Sequence, residues 1–358
     1  MSAKIIEERC FNMKDVSTEK RNNTELSNNF ARMSLICAAM IVYLHTGCAA
    51  NNEFLFGWVN KAIFALCRIA IPWFFFASGF FLAKHIGEDG WWRSAIKKRI
   101  RTLIIPFWIW GTIIFLFYCS IGVAVHIFNY QYNGINTLEW LSVKGLMRVV
   151  GLDYTGNMPT MWYLRSLFIL VVLSPLVYRG KLTVVAAFFF MYIAFSLYSV
   201  RLSQTAQYVL EYLLSLRGLL YFSLGMYLYS HGKRFADWWT IVIGVMGFVF
   251  LACNLYNGSR ISDVLMVPGL MVVVYSLVRH MKIPTILTAS SFAVYVTHIM
   301  IAYSISAVYG VIGIGGAGKA DFALGLFRFI ITLCLAITLT FLIKKFIPGF
   351  ARTAFGGR

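Results

Sequence analysis

Residues 63–82 read Ile63-Phe-Ala-Leu-Cys-Arg68-Ile-Ala-Ile-Pro72-Trp-Phe-Phe-Phe-Ala-Ser78-Gly-Phe-Phe-Leu82. Apolar residues dominate this stretch, and Arg68 is its one formal charge. As a helix, at about 1.5 Å per residue, it is about 30 Å long, the thickness of a bilayer's hydrocarbon core. A soluble helix would show one polar face, whereas this one is apolar all round. That reading decides the fold class: a membrane-spanning helix.

The rest of the chain repeats the pattern. Of 358 residues, 59% are hydrophobic and 13% charged, against about 25% charged in a soluble domain. Candidate spans follow one another at 33–50, 63–82, 103–127, 161–178, 182–200, 213–229, 239–256, 264–278, 286–309 and 322–343. The expected architecture is therefore an all-α integral membrane protein, a bundle of about ten transmembrane helices.

Basic residues set the orientation, because cytoplasmic loops are enriched in Lys and Arg. With the N-terminus inside, the inward segments carry 22 of the 32 basic residues and the outward segments carry 6. Both termini are accordingly expected in the cytoplasm, with residues 1–32 a loosely ordered tail, 33–347 one membrane domain and 348–358 a second tail. The first 32 residues are polar and of mixed charge, so no cleavable signal peptide is read there. The outward connection 128–160 contains Leu138–Val150, where mixed apolar and charged residues predict a short interfacial helix. The net charge of +18 follows this topology, so nucleic acid is not an expected partner. The seven cysteines show no CxxC spacing, which points to neither a disulfide framework nor a metal site.

Four arginines fall inside spans: Arg68, Arg165, Arg217 and Arg328. A charge in the bilayer centre costs at least about 2.5–3.5 kcal/mol, so it usually faces a cavity or a partner. No Asp or Glu lies well inside a span, Glu211 and Asp263 being at outer ends. The expectation is a positively charged cavity opening outward, with a ligand or lipid phosphate as counter-charge. His45 and His298 each lie 12 residues into outward-running spans, about 18 Å from the inner end. Neutral imidazole suits proton acceptance from a hydroxyl near neutral pH. The stretch Gly313–Ala320 approaches a phosphate-binding P-loop, but it lacks the final Ser/Thr and follows no strand, and reads as a flexible turn.

The order of motifs resembles the membrane-bound acyltransferase 3 family over nearly the whole chain. Arg32 and His45 flank the first span as in the family's opening helix. Pro72-Trp-Phe-Phe-Phe-Ala-Ser78-Gly79-Phe80 is similar to its second-span signature. Lys97-Lys98-Arg99-Ile-Arg101 before Ile105-Pro106-Phe107 resembles its basic entrance to span three. Trp162-Tyr163-Leu164, Phe222-Ser-Leu-Gly225 and Ser291-Phe-Ala-Val-Tyr295-Val-Thr-His298 complete the series. The resemblance implies a bacterial inner-membrane, multi-pass enzyme that moves an acyl group, usually acetyl, from cytoplasmic acyl-CoA to a hydroxyl of a cell-surface or lipid-linked glycan, with no metal. His45 is then the expected general base or acyl-imidazole nucleophile, and Arg68 the oxyanion stabiliser. Lys97, Lys98, Arg99 and Arg101 are expected to hold the acyl-CoA phosphates. Ser78, Trp162, Arg165, Arg217, Tyr295, His298 and Arg328 are candidate substrate contacts. Membrane lipid, a glycan or lipid-linked sugar, and a separate periplasmic or extracellular acyl-accepting protein are expected partners. A transporter or flippase of a polar or lipid-linked substrate is the alternative.

Overall fold

A computed structural model describes residues 2–46, 54–127, 142–150, 160–178, 182–231, 238–257, 260–311 and 322–357. Every regular element among them is helical: α1 Ser2–Thr46, α2 Phe54–Cys67, α3 Ala70–Ala83, α4 Trp91–Arg99, α5 Ile105–Ile127, α6 Val143–Val150, α7 Trp162–Val172, α8 Ser174–Val177, α9 Leu182–Tyr198, α10 Gln204–Tyr208, α11 Leu216–Ser230, α12 Trp238–Asn257, α13 Arg260–Val278, α14 Thr285–Thr288, α15 Ser291–Val311, α16 Phe322–Phe346 and α17 Pro348–Ala354. Single π-helical turns at Ile100–Ile104 and Val209–Leu213 join α4 to α5 and follow α10.

Six helical segments among the described residues are long and apolar enough to cross a membrane: Gly57–Ala83, Trp91–Ile121, Leu182–Arg201, Gln204–Ser230, Ser291–Tyr309 and Ala323–Phe346. They cover the second, third, fifth, sixth, ninth and tenth expected spans. The fourth, seventh and eighth fall on the shorter apolar helices Trp162–Val172, Val242–Cys253 and Asp263–Val278, and the first on the second half of α1. Within 138–150 the helix is confined to α6; 128–141 and the P-loop-like 313–320 lie outside the described residues.

The tail at 1–32 differs from expectation. Helix α1 begins at Ser2 and runs without a break into the first span. Neither Pro nor Gly occurs before Gly47, so nothing in the sequence interrupts the backbone hydrogen-bond ladder.

Helix α3 is the most enclosed element, packed against α11 and α1. Trp73, Phe75 and Phe76 are fully buried, with the Phe30 ring of α1 tilted against Trp73 at 4.8 Å. Two glycines set the α3–α11 distance. A methyl on Gly79 would lie 2.1 Å from the Phe222 carbonyl oxygen, and one on Gly225 2.2 Å from that of Phe76. Small residues at such a crossing let helix backbones touch, which is how helices associate where lipid supplies no hydrophobic drive. Helices α12 and α13 do the same: a methyl on Gly269 would lie 2.4 Å from the Gly247 Cα.

The basic residues gather at one end of the bundle. Arg32 donates to Asn29 and to the Arg279 carbonyl at 2.9 and 3.0 Å, and the Lys344 ammonium reaches the Ala289 carbonyl at 3.1 Å. These contacts place the start of the first span, the end of α13, the approach to α15 and the end of α16 together. The end of α1, at His45, points the other way.

Candidate active site

Helix α4 starts after Gly90, whose φ of 69° is the left-handed conformation that glycine adopts without steric cost. Its continuation meets Pro106, which has no N–H for the Thr102 carbonyl and whose ring crowds that carbonyl in a regular α-helix. The π-turn at Ile100–Ile104 widens the helix there, a usual accommodation near functional sites. As a result the basic run is divided. Lys97, Lys98 and Arg101 are exposed, while Arg99 is half-buried and lines a cavity of about 200 Å³.

This cavity lies between α1, α3, the α4–α5 junction, α7 and α15. Polar groups come from Ser34, Ser78, Arg99, Tyr163, Ser291 and Tyr295; Phe74, Phe81 and Phe292 supply apolar wall. Among the described lining residues Arg99 carries the only charge. The volume is below the about 300–1,000 Å³ of a pocket for a drug-sized ligand, so it fits a slender chain better than a bulky group. Tyr163 and Tyr295 meet edge-to-face at 5.9 Å. The Tyr295 hydroxyl donates to the Thr160 carbonyl, which fixes this ring as the cavity's inner wall.

Behind Tyr295 stand the two histidines. Their ring centroids are 5.3 Å apart, tilted by 42°, and Tyr295 lies 6.3 Å from His298. His298 is fully buried. Its Nδ1 faces the carbonyls of Tyr295 and Val294 at 2.7 and 3.2 Å. Carbonyls only accept, so Nδ1 carries the hydrogen and Nε2 keeps the lone pair. That Nε2 is buried with no hydrogen-bond partner. His45 is half-buried, and so is the more accessible of the two.

Helical register explains the convergence. Ser291, Tyr295 and His298 are spaced i, i+4, i+7, one face of α15. Ser34 and His45 are eleven residues apart, three turns of α1, and share a face as well. The polar stripe of each helix thus runs from the cavity to the imidazoles. Ser34 was not singled out from the sequence, although this register with His45 was there to be read; it also accepts the Trp73 indole N–H at 3.1 Å. Tyr163 was passed over in favour of its neighbour Trp162, which packs edge-on against Tyr212 at 5.2 Å and does not line the cavity.

The arginines correct the sequence reading. Arg68 lies midway along the span-length segment Gly57–Ala83, at the turn between α2 and α3, is 41% exposed, and pairs with Asp263 from the first turn of α13. Its counter-charge is protein, supplied by a residue almost two hundred positions away. Arg165 donates to the Tyr208 hydroxyl and lies 5.8 Å from that ring's centre. Arg328 donates to the carbonyls of Thr46 and His45 at 3.1 and 3.2 Å and to Ser306 at 3.0 Å. It therefore satisfies the last carbonyls of α1, where a cation also complements the helix dipole. Arg217 lies half-buried in the first turn of α11, near Tyr221. Arg68, Arg165, Arg217 and Arg328 do not line the Arg99 cavity.

No curated protein and no solved structure matches the chain. A family model described as an acyltransferase domain matches residues 34–345, from the cavity's Ser34 to the paired lysines that end α16. With that match spanning most of the sequence and the apolar helices described above, the chain is a multi-pass membrane protein that belongs to the acyltransferase 3 family.

Proposed function

We propose that the protein transfers an acyl group, acetyl in the simplest case, from cytoplasmic acyl-CoA to a hydroxyl of a cell-surface or lipid-linked glycan. The observation that carries this reading is a cavity that leads from Arg99 at the basic end to Tyr295, one turn short of His298. The proposal includes ten membrane crossings with both termini in the cytoplasm of a bacterial inner membrane, in keeping with the basic bias of the inward segments. Acyl-CoA is made in that compartment, so its phosphates meet Arg99, whose guanidinium can donate two hydrogen bonds to one phosphate. Lys97, Lys98 and Arg101 then add a surrounding positive field.

The pantetheine arm fills the aromatic-walled cavity and brings the thioester towards the imidazoles. His45, the more accessible ring, removes the proton from the acceptor hydroxyl. The oxygen attacks the thioester carbonyl, the C–O bond forms, the C–S bond breaks, and the departing thiolate takes the proton back from His45. His298 offers its Nε2 lone pair to the N–H of His45, holding the base in the tautomer whose other nitrogen is free. Metal plays no part in this scheme. A separate acyl-accepting protein on the far side is compatible with it as the recipient.

The test is thiol release from labelled acetyl-CoA by the purified protein in lipid nanodiscs supplied with membrane extract. His45→Ala is expected to abolish label transfer, and Arg99→Ala to raise the acyl-CoA KM about tenfold or more, the loss of one charge-assisted contact. Transfer that survives His45→Ala, or an unchanged KM in Arg99→Ala, overturns the mechanism. Movement of a lipid-linked sugar across the bilayer without acyl-CoA turnover would support the transporter reading instead.

A further inference from the structure

Of the four arginines within expected spans, the one without a hydrogen bond among the described residues marks a second site. Arg68, Arg165 and Arg328 are held by Asp263, Tyr208 and the end of α1. Arg217 has no such hydrogen-bonding or ion-pairing partner among the described residues. Four positions on, Tyr221 is 1% exposed, and its hydroxyl is buried with no hydrogen-bond partner. Positions i and i+4 share a helix face, and side chains lean towards the helix N-terminus. The Tyr221 ring therefore leans back to the turn that carries Arg217. Arg217, Asp263 and Tyr192 are the groups that act electrostatically on its hydroxyl.

The backbone supports the same location. The segment Gln204–Ser230 has the length and hydropathy of a membrane span, yet it is broken in its first half. A π-turn at Val209–Leu213 gives way to Ser215, a non-glycine residue at φ 48° whose hydroxyl accepts from the Gly218 N–H. Helix α11 consequently starts inside an apolar segment, with the positive end of its dipole beside Arg217. A discontinuous helix of this kind is a device by which membrane proteins hold charged ligands.

Position separates this site from the donor cavity. Phe75 and Gly79 of α3 meet Gly218 and Phe222 of α11 in the same order, so the two helices run parallel. Helix α1 crosses α3 in the opposite sense, with Phe30 near Phe80 and Ser34 near Trp73. The starts of α3 and α11 thus lie at the end where α1 finishes with His45, away from Arg99. We infer that the entrance of α11 binds the phosphate ester of a lipid through the Arg217 guanidinium, the Tyr221 hydroxyl and the α11 N-terminus, and so holds the acceptor opposite the donor. The inference that the lipid is the acceptor rests on the acyltransferase mechanism above; the anion site itself does not.

The probes are a polyprenyl phosphate and phosphatidylglycerol, each titrated into the full chain in phosphatidylcholine nanodiscs and read by native mass spectrometry. Wild-type protein is expected to bind a phosphate lipid, with affinity about tenfold lower in Arg217→Gln and several-fold lower in Tyr221→Phe. Tyr221→Phe keeps the buried ring, so its folding is safeguarded. Preference for the polyprenyl phosphate assigns the site to a lipid-linked acceptor, and equal binding of phosphatidylglycerol assigns it to a structural headgroup. Equal affinity in wild type and both variants, or no binding at all, overturns the site. Arg217-dependent binding without acyl transfer would leave the site standing and remove the acyltransferase mechanism.

Discussion

Replacing Gly79 by Ala adds one methyl where α3 crosses α11. That methyl would sit 2.1 Å from the Phe222 carbonyl oxygen and 2.9 Å from its carbon, where ordinary contact begins at 3.4 Å. Backbone cannot rotate away as a side chain would, so the helices must part by roughly 1.3 Å, more than the about 0.5–1 Å that already forfeits a quarter to a half of a dispersion contact. The loss falls on Phe75, Phe76, Phe222 and Met226, all buried, and is expected to cost about 3 kcal/mol, the upper range for overpacking a core. This corresponds to a Tm lower by roughly 6 °C. Unfolding in detergent can be followed by reaction of the buried thiols of Cys37 and Cys67 with a maleimide dye. Gly349→Ala is the control, because that glycine is exposed with nothing within 4 Å, and should leave the Tm equal or slightly higher. Gly225→Ala should resemble Gly79→Ala, and the double variant should cost less than twice as much, since one separation relieves both clashes. A Gly79→Ala Tm within 1 °C of wild type would refute the close crossing. It would also remove the reason for glycine at both positions.

Arg328→Ala removes two hydrogen bonds to the end of α1 and one to Ser306 of α15 and should cost about 2–3 kcal/mol, with acyl transfer falling as His45 loses its anchorage; an unchanged melt would show those bonds to be absent. Lys97→Ala and Lys98→Ala, both at exposed positions, should leave the acyl-CoA KM within about twofold at physiological salt, in contrast to Arg99→Ala; an equal rise in all three would place the phosphates on the surface. His298→Phe fills the same space without a lone pair and should lower kcat about 100-fold at unchanged acyl-CoA KM, while His298→Gln, which restores an acceptor, should recover part of that loss. A KM effect in place of the kcat effect would make His298 a packing residue.

The helical, membrane-spanning class was legible because it depends on average hydropathy over about 20 residues, which no tertiary contact alters. The arginines were harder to read, because their partners are distant in sequence. Arg68 and Asp263 meet through a turn between α2 and α3 that an uninterrupted apolar run conceals. Arg328 meets backbone carbonyls, which have no signature of their own in sequence. The division of the basic run is likewise a geometric result: Pro106 widens the preceding turn, and only then does Arg99 face inwards while Lys97 and Lys98 do not.

The histidines illustrate what register adds to depth. Two imidazoles twelve residues into parallel spans need not meet, since rotation of either helix by half a turn would send one into lipid. The additional constraint was already in the sequence. Ser34 lies three turns before His45, and Ser291 and Tyr295 lie two turns and one turn before His298, so each helix has a polar stripe that costs too much to face hydrocarbon. Both stripes turn inward for the same reason and enclose the cavity between them. The catalytic geometry is thus a by-product of burying polar groups away from lipid, and the unpartnered Nε2 of His298 is the one group in it that burial alone does not explain.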